Sequence, residues 1–329
     1  MISVAVVSYI MGFSTVSYAI DEKPNMSFGI ISDIHLQSRI DNSGNPIDDE
    51  QAEIKLQQAL QDLHSINPEM DMLIMNGDLT HTGMQTDYDV LKEILYGTPH
   101  PQNTLFAMGN HEFYSAYRLP TGEFSKSTFP NGVTEQACIN RFIRNTGMPS
   151  LYYDKVIKGY HFIVLGSEES RITNWNNLDS AVLSDTQLQW LDHELKETSK
   201  DQPTFVFLHQ PIPHTVAGSE QGTIVDSEKL VTILSHFPQV IFFSGHSHIT
   251  LKNEPYTMYQ NHFTMFNDAS VRNPVTPFGE LIGDSEGLFV KVYKDRVVVT
   301  GRDFTNKKWI DSYTVRVPLP KSIIKEGVQ

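Results

Sequence analysis

The chain has 329 residues, 40% hydrophobic and 19% charged, a globular composition that excludes a disordered or coiled-coil chain. Its formal net charge of −14 argues against a nucleic-acid-binding surface, which needs clustered Lys and Arg. The single cysteine, Cys138, leaves no intrachain disulfide and no thiolate zinc finger.

Residues 2–20 carry no charge, and small residues at Ser17 and Ala19 precede polar Asp21. This is the pattern of a signal peptide over 1–19. It implies export to a secreted, periplasmic or cell-surface location; without a signal role the chain is cytoplasmic. The serines and threonine of the segment make it a poor membrane span, so no transmembrane span is expected in the mature chain. No Pro/Gly/Ser-rich linker divides residues 20–329, which are expected to form one domain.

Phe28–Ser32 is the first apolar run of strand type. Ala52, Leu56, Ala59, Leu60 and Leu63 then fall on one helix face. Asp48 or Asp49 is available as the cap, and Pro68 lies beyond the end. Met72–Met75 reads as a strand, and strand–helix–strand implies a parallel pair with a right-handed crossover. The unit recurs, with Tyr88, Leu91, Ile94 and Leu95 on a helix and Thr104–Met108 as a strand. Residues 112–150 read as loop-rich. His161–Leu165 is a strand, and Ser184-Asp-Thr-Gln187 is a capping box opening a helix with Leu188, Leu191 and Leu195. Thr204–Leu208 and Val240–Phe243 are strands flanking a helix that carries Leu230, Ile233 and Leu234. The last third reads as strands at Phe263–Phe266, Gly287–Tyr293, Arg296–Thr300 and Trp309–Val315, with a hairpin at Lys294-Asp295.

Five polar clusters each follow an apolar strand run: Asp33-Ile-His35, Gly77-Asp78, Gly109-Asn-His-Glu112, His209 and Gly245-His-Ser-His248. In open α/β sheets, sites form in the crevice outside the carboxyl ends of strands, where such clusters meet without sequence proximity. Imidazole nitrogens and carboxylate oxygens suit zinc, iron or manganese. The candidate ligands are more than one tetrahedral site needs and enough for two ions, and Asp78 has two oxygens with which to bridge. Gly77, Gly109 and Gly245 each precede a candidate ligand and are expected to adopt backbone conformations that a Cβ would block. His81 and His214 are candidates for substrate contact. Glu112 is a candidate to orient His111 by a hydrogen bond.

The series resembles the calcineurin-like metallophosphoesterase superfamily over about residues 28–250, with all five blocks intact. The resemblance implies an α/β (α+β) fold, a four-layer α/β/β/α sandwich of two mixed sheets flanked by helices. It assigns one divalent ion to Asp33, His35 and His248 and a second to Asn110, His209 and His246. Asp78 lies between them, and His111 stays off the metals as the catalytic residue facing phosphate. The ions would be manganese, iron or zinc. Purple acid phosphatases place a tyrosine where this chain has His81 and a glycine where it has His35. Serine/threonine protein phosphatases carry an Asp-Arg that Gly77-Asp-Leu-Thr-His-Thr-Gly83 lacks. Gly77-Asp-Leu-Thr80, Gly109-Asn-His-Glu112 and His209-Gln-Pro211 are more similar to the class III cyclic nucleotide phosphodiesterase group. The resemblance thus implies a small phosphate-ester substrate attacked in line by water held between two ions. A phosphodiesterase is the first expectation. A phosphomonoesterase (nucleotidase or sugar phosphatase) is the alternative, and a non-catalytic metal-binding surface protein comes third.

Overall fold

The computed structural model describes residues 22–40, 46–48 and 50–316. The expected signal segment 1–19 lies outside them, and the cap expected at Asp48 or Asp49 lies outside the residues whose side chains are described. Strand β1 (Met26–Ile31) is buried along its whole length. A short ribbon of β2 (Ser38–Ile40) and β3 (Pro46–Asp48) precedes α1 (Glu50–Ile66). Then come β4 (Met72–Asn76), α2 (Gln85–Gly97) and β5 (Thr104–Ala107). β1, β4 and β5 pair in parallel, as two strand–helix–strand units require. Their continuous apolar runs reflect burial on both faces.

The stretch expected to be loop-rich contains regular structure. A 3₁₀ helix runs over His111–Tyr117, and α3 spans Glu135–Thr146. The signals for α3 are local: the Thr134 side chain accepts the Ala137 N–H, and Gly147 ends the helix at φ 73°. Its apolar face is only Cys138, Ile139 and Phe142, too sparse to register as a period.

The second half runs β6 (Tyr153–Ile157), β7 (Tyr160–Val164), α4 (Asp185–Glu197), β8 (Thr204–Phe207), α5 (Ser227–Leu234) and β9 (Val240–Ser244). The short β10 (Met258–Gln260) and β11 (Thr264–Asn267) follow, then β12 (Glu286–Val292), β13 (Arg296–Asp303) and β14 (Lys308–Arg316). The capping box at α4 is half formed. Ser184 Oγ accepts the Gln187 N–H, but the Gln187 amide turns away and bonds both backbone groups of Gly166.

Two mixed six-stranded sheets result, in the orders β14-β13-β12-β1-β4-β5 and β10-β11-β9-β8-β7-β6. Their facing sides share one apolar layer that includes Phe28, Phe162, Phe205, Phe207, Phe243 and Phe266. Each fully buried ring of this kind contributes about 1.5–3 kcal/mol relative to exposure. Helices α1, α2 and α3 cover the outer face of the first sheet, and α4 and α5 that of the second. This is the four-layer sandwich expected. Among the described residues no helix is long and apolar enough to cross a membrane.

One buried ion pair ties a helix to its sheet. The Arg302 guanidinium on β13 donates to both oxygens of Asp62 on α1, at 2.6 and 2.9 Å. Asp62 is 1% exposed and Arg302 7%. Removing one partner strands the other charge out of water. Asp62→Ala is therefore expected to lower unfolding stability by about 3–5 kcal/mol, read as a lower urea midpoint, with metal content per folded chain unchanged.

Candidate metal centre

β1, β4 and β5 run parallel in one sheet, β8 and β9 in the other, and the segments leaving their carboxyl ends meet at one edge of the sandwich. Asp33 and His35 follow β1, Asp78 follows β4, Asn110 and His111 follow β5, His209 follows β8, and His246 and His248 follow β9. All seven candidate ligands are brought together. Asp33, His35 and His248 offer ligand atoms within 4.8 Å of one another, and so do Asp78, His209 and His246. Asn110 joins the second group through its Oδ1, 2.9 Å from His246 Nδ1. Asp78 lies between the groups, its Oδ2 at 3.2 Å from His209 Nε2 and 3.8 Å from His35 Nε2.

The donor set fits divalent cations. His209 Nδ1–H donates to the Asn76 carbonyl at 2.8 Å, so its Nε2 points at the carboxylates. His248 Nδ1–H donates to the Asn273 carbonyl at 3.2 Å, which likewise frees its Nε2. That Nε2 lies 3.0 Å from His35 Nε2 and 3.0 Å from Asp33 Oδ1. Asp33 Oδ1 and His209 Nε2 are buried and make no aligned hydrogen bond. Lone pairs converging at such separations repel unless a positive charge lies among them. Ligands around a zinc-sized ion sit about 3.3 Å apart for bonds near 2.0 Å, which matches this spacing.

The protonation preferences of the cluster divide its imidazoles. Burial alone would raise Asp33 and Asp78. His248 and His209 beside Asp33 hold it below its ordinary value, and His209 and His111 hold Asp78 well below. Burial would lower His209, but Asp78 and Asp33 outweigh it and lift this imidazole to about 10. The pocket thus holds a positive charge at that nitrogen. Burial and then His209 push His246 down to about 4, and burial and then His111 push His35 well down. The ionised carboxylates and the neutral His35 and His246 are in their ligand forms, while His209, and His248, which burial would lower but Asp33 raises, would each shed a proton to bind an ion.

The backbone is strained at the same residues. Asp33, His35, Asp78, His246 and His248 have φ of 53°, 52°, 49°, 68° and 58°. A non-glycine residue in this region costs about 1–3 kcal/mol and persists only where its surroundings over-determine it. The Asp78 carbonyl accepts the N–H groups of both Ile34 and His35 and pins the two exits together. The glycine expectation needs correction. Only Gly77 has a positive φ, at 92°. Gly109 and Gly245 are required for space: a Cβ on the first would overlap Asp78, and on the second would come 2.5 Å from Asp33 Oδ2. The left-handed turns fall on the candidate ligands themselves.

His111 lies beside both groups, with a ring nitrogen within 4.8 Å of ligand atoms of His35 and His81. Its ring packs 4.4 Å from that of His35, its Nε2 is 4.0 Å from Asp78 Oδ2, and its N–H donates to Asp78 Oδ1 at 2.9 Å. Its Nδ1–H donates to the His81 carbonyl at 2.8 Å. Glu112, expected to orient His111, does not. It is fully buried and accepts N–H groups of Asp78, Thr80 and Gly109 at 2.7–3.2 Å, because those donors face inward behind the turn. Burial, then Asp78, raises its carboxyl to about 7. His81 is at the site, its ring 5.1 Å from that of His111. His214 is exposed in a turn closed by its N–H to the Ser219 carbonyl, and it joins none of the ligand groups.

Sequence reasoning missed the segment after β11. Asn273 orients His248, Arg272 Nη1 reaches the His35 carbonyl at 3.4 Å, and buried Asp268 holds Asn76 at 2.6 Å. The signal was available, since Asn267-Asp268-Ala-Ser270 is another polar cluster after an apolar strand.

Comparison with known proteins accords with this geometry. The chain is 26% identical over 242 residues to a 3′,5′-cyclic-nucleotide phosphodiesterase of Nostoc sp., covering 73% of this chain and 77% of that protein. It is 22% identical over 189 residues to a glycerophosphodiester phosphodiesterase of Enterobacter lignolyticus, covering 56% and 59%. A dimetal phosphatase from Danio rerio shares the fold with a TM-score of 0.60 at 16% identity, over 90% of this chain and 100% of that one. The family model for calcineurin-like phosphoesterases matches residues 26–250, from β1 through His248 and hence across all five clusters, and the chain belongs to that family.

Proposed function

We propose that the protein hydrolyses small phosphate diesters with two divalent ions. Asp33, His35 and His248 would hold one ion and Asn110, His209 and His246 the other, with Asp78 shared. The observation that carries this reading is the convergence of imidazole Nε2 atoms and ionised carboxylates at ligand spacing. When bound, such ions supply Lewis-acid charge and the acidification of water that makes a nucleophile at neutral pH. They also give an acidic chain a local attraction for phosphate. Names of similar proteins favour diesters, since both relatives described above are phosphodiesterases.

The chain's own residues do the rest. His111 is fixed at two points, by its backbone N–H on Asp78 and by its Nδ1–H on the His81 carbonyl. The proton it can give up is therefore the one on Nε2, which faces the reacting phosphate and leaving alkoxide. Glu112 keeps the Asp78 turn rigid through its three backbone donors, so the shared carboxylate does not rotate away.

Protein reconstituted with excess manganese and desalted is expected to hold about two ions per chain and to turn over bis(p-nitrophenyl) phosphate faster than p-nitrophenyl phosphate. A stable ratio of one with full activity would sink the two-ion reading, and a reversed preference the diester reading. Asp78→Ala is expected to lose both metal and turnover. His111→Ala is expected to keep its metal while kcat falls by about 10²–10⁴ for an alkoxide leaving group, and by less for p-nitrophenolate, which needs little protonation. Metal loss in step with activity would make His111 a ligand.

Export belongs to the same proposal and rests on the uncharged stretch 2–20. Expressed from its own start in a bacterial host, the protein should appear outside the cytoplasm with a terminus near Ile20 by mass spectrometry. An intact Met1 on cytoplasmic protein would refute it.

A further inference from the structure

The segment 111–129 turns a column of aromatic rings toward solvent beside the reacting end of the site. A 3₁₀ helix has three residues per turn, so side chains three apart eclipse. In His111–Tyr117 this aligns His111, Tyr114 and Tyr117. Their rings follow one another at 4.1 Å and 5.4 Å between centroids. A tight hairpin then folds back: Leu119 N–H reaches the Glu123 carbonyl, Ser125 N–H reaches the Tyr117 carbonyl, and Arg118 bridges Phe124. It sets the Phe124 ring parallel to Tyr117, 11° apart in plane at 6.0 Å. Phe129 and Trp175 buttress Tyr117 from behind, at 4.7 and 6.2 Å.

Tyr114, Tyr117 and Phe124 wall a cleft of about 300 Å³ whose lining also includes His81, the buried Thr82, Arg118 and the exposed Lys126. Phe124 is 58% exposed and Trp175 43%. The hairpin leaves both rings partly open to solvent beside the cleft that His81 lines, with Arg118 over Phe124 at 5.7 Å and Lys126 over Trp175 at 5.1 Å. A small aliphatic alcohol such as glycerol would leave them wet. A planar ring would cover them by stacking.

We propose that Tyr117 and Phe124 are specificity-determining residues, forming a subsite that stacks a planar aromatic group on the ester, a nucleobase being the biological example. This rests on the phosphodiesterase reading and names its substrate class. Stacking a base on an aromatic side chain is worth about tenfold or more in affinity. The test compares two inhibitors that differ only in the base, AMP and ribose 5-phosphate, against initial-rate hydrolysis of bis(p-nitrophenyl) phosphate by the manganese-loaded protein. AMP is expected to inhibit at least about tenfold more tightly. Phe124→Ala and Tyr117→Ala should each shrink that ratio severalfold, and Phe124→Trp should restore it. Phe124 is exposed, so its substitution does not threaten folding. Equal inhibition by the two compounds would overturn the subsite and leave the diesterase reading standing, because turnover itself would persist. A ratio unchanged in both alanine variants would overturn the assignment to these rings. Absence of any diester turnover would overturn the underlying reading, and the subsite with it.

Discussion

Two carboxylates, Asp33 and Asp78, are buried within reach of a single imidazole, His209, and neither can stay ionised there without positive charge beside it. Much of the surrounding structure serves that constraint. The imidazoles of His35, His209 and His248 aim their Nε2 atoms at the carboxylates. The Asn76 and Asn273 carbonyls fix the tautomers of His209 and His248. Glu112 is itself pushed toward its neutral form by the same crowding, and it clamps the turn that presents Asp78. A bound divalent cation would supply that charge in place of the protons that His209 and His248 otherwise hold.

Holding five left-handed non-glycine residues in one place is costly, and a loop alone would relax. The sandwich prevents this. Parallel strands from both sheets deliver their exits to one edge, and the sheets are locked by edge-to-face rings such as Phe28 of the first sheet against Phe162 and Phe205 of the second. Because each candidate ligand is within a few residues of a fully buried strand, its position is inherited from the most rigid part of the molecule. The walls of the cleft sit one layer out, on the 3₁₀ helix and hairpin between β5 and α3, where the Phe124 ring is exposed.

The strand exits were legible in the sequence because the signal is local: an apolar run, a glycine or turn, then a histidine or carboxylate. The same holds for the faces of α1, α2 and α4, whose apolar spacing sets which side is buried. The segment after β11 carries the same signature but offers Asn, Asp and Ser without a histidine, so its role in orienting His248 and Asn76 is not legible there. The 3₁₀ column was missed because a spacing of three in His111, Tyr114 and Tyr117 resembles neither a strand nor an α-helix.

By itself, then, the sequence determined which residues leave strands as metal-ligand types, since that depends on neighbours along the chain. Only the tertiary structure decided what each of them meets. Glu112 and His214 look equally eligible in one dimension. One is driven behind the Asp78 turn by inward-facing backbone donors, and the other is carried to the surface by a turn closed on Ser219. The pairing of β12 with β1, across more than half the chain, brings the Arg272–Asn273 segment under His35 and His248. No local pattern encodes such a contact, because it arises from two sheets closing on a shared core, with a register fixed by burial at a distance.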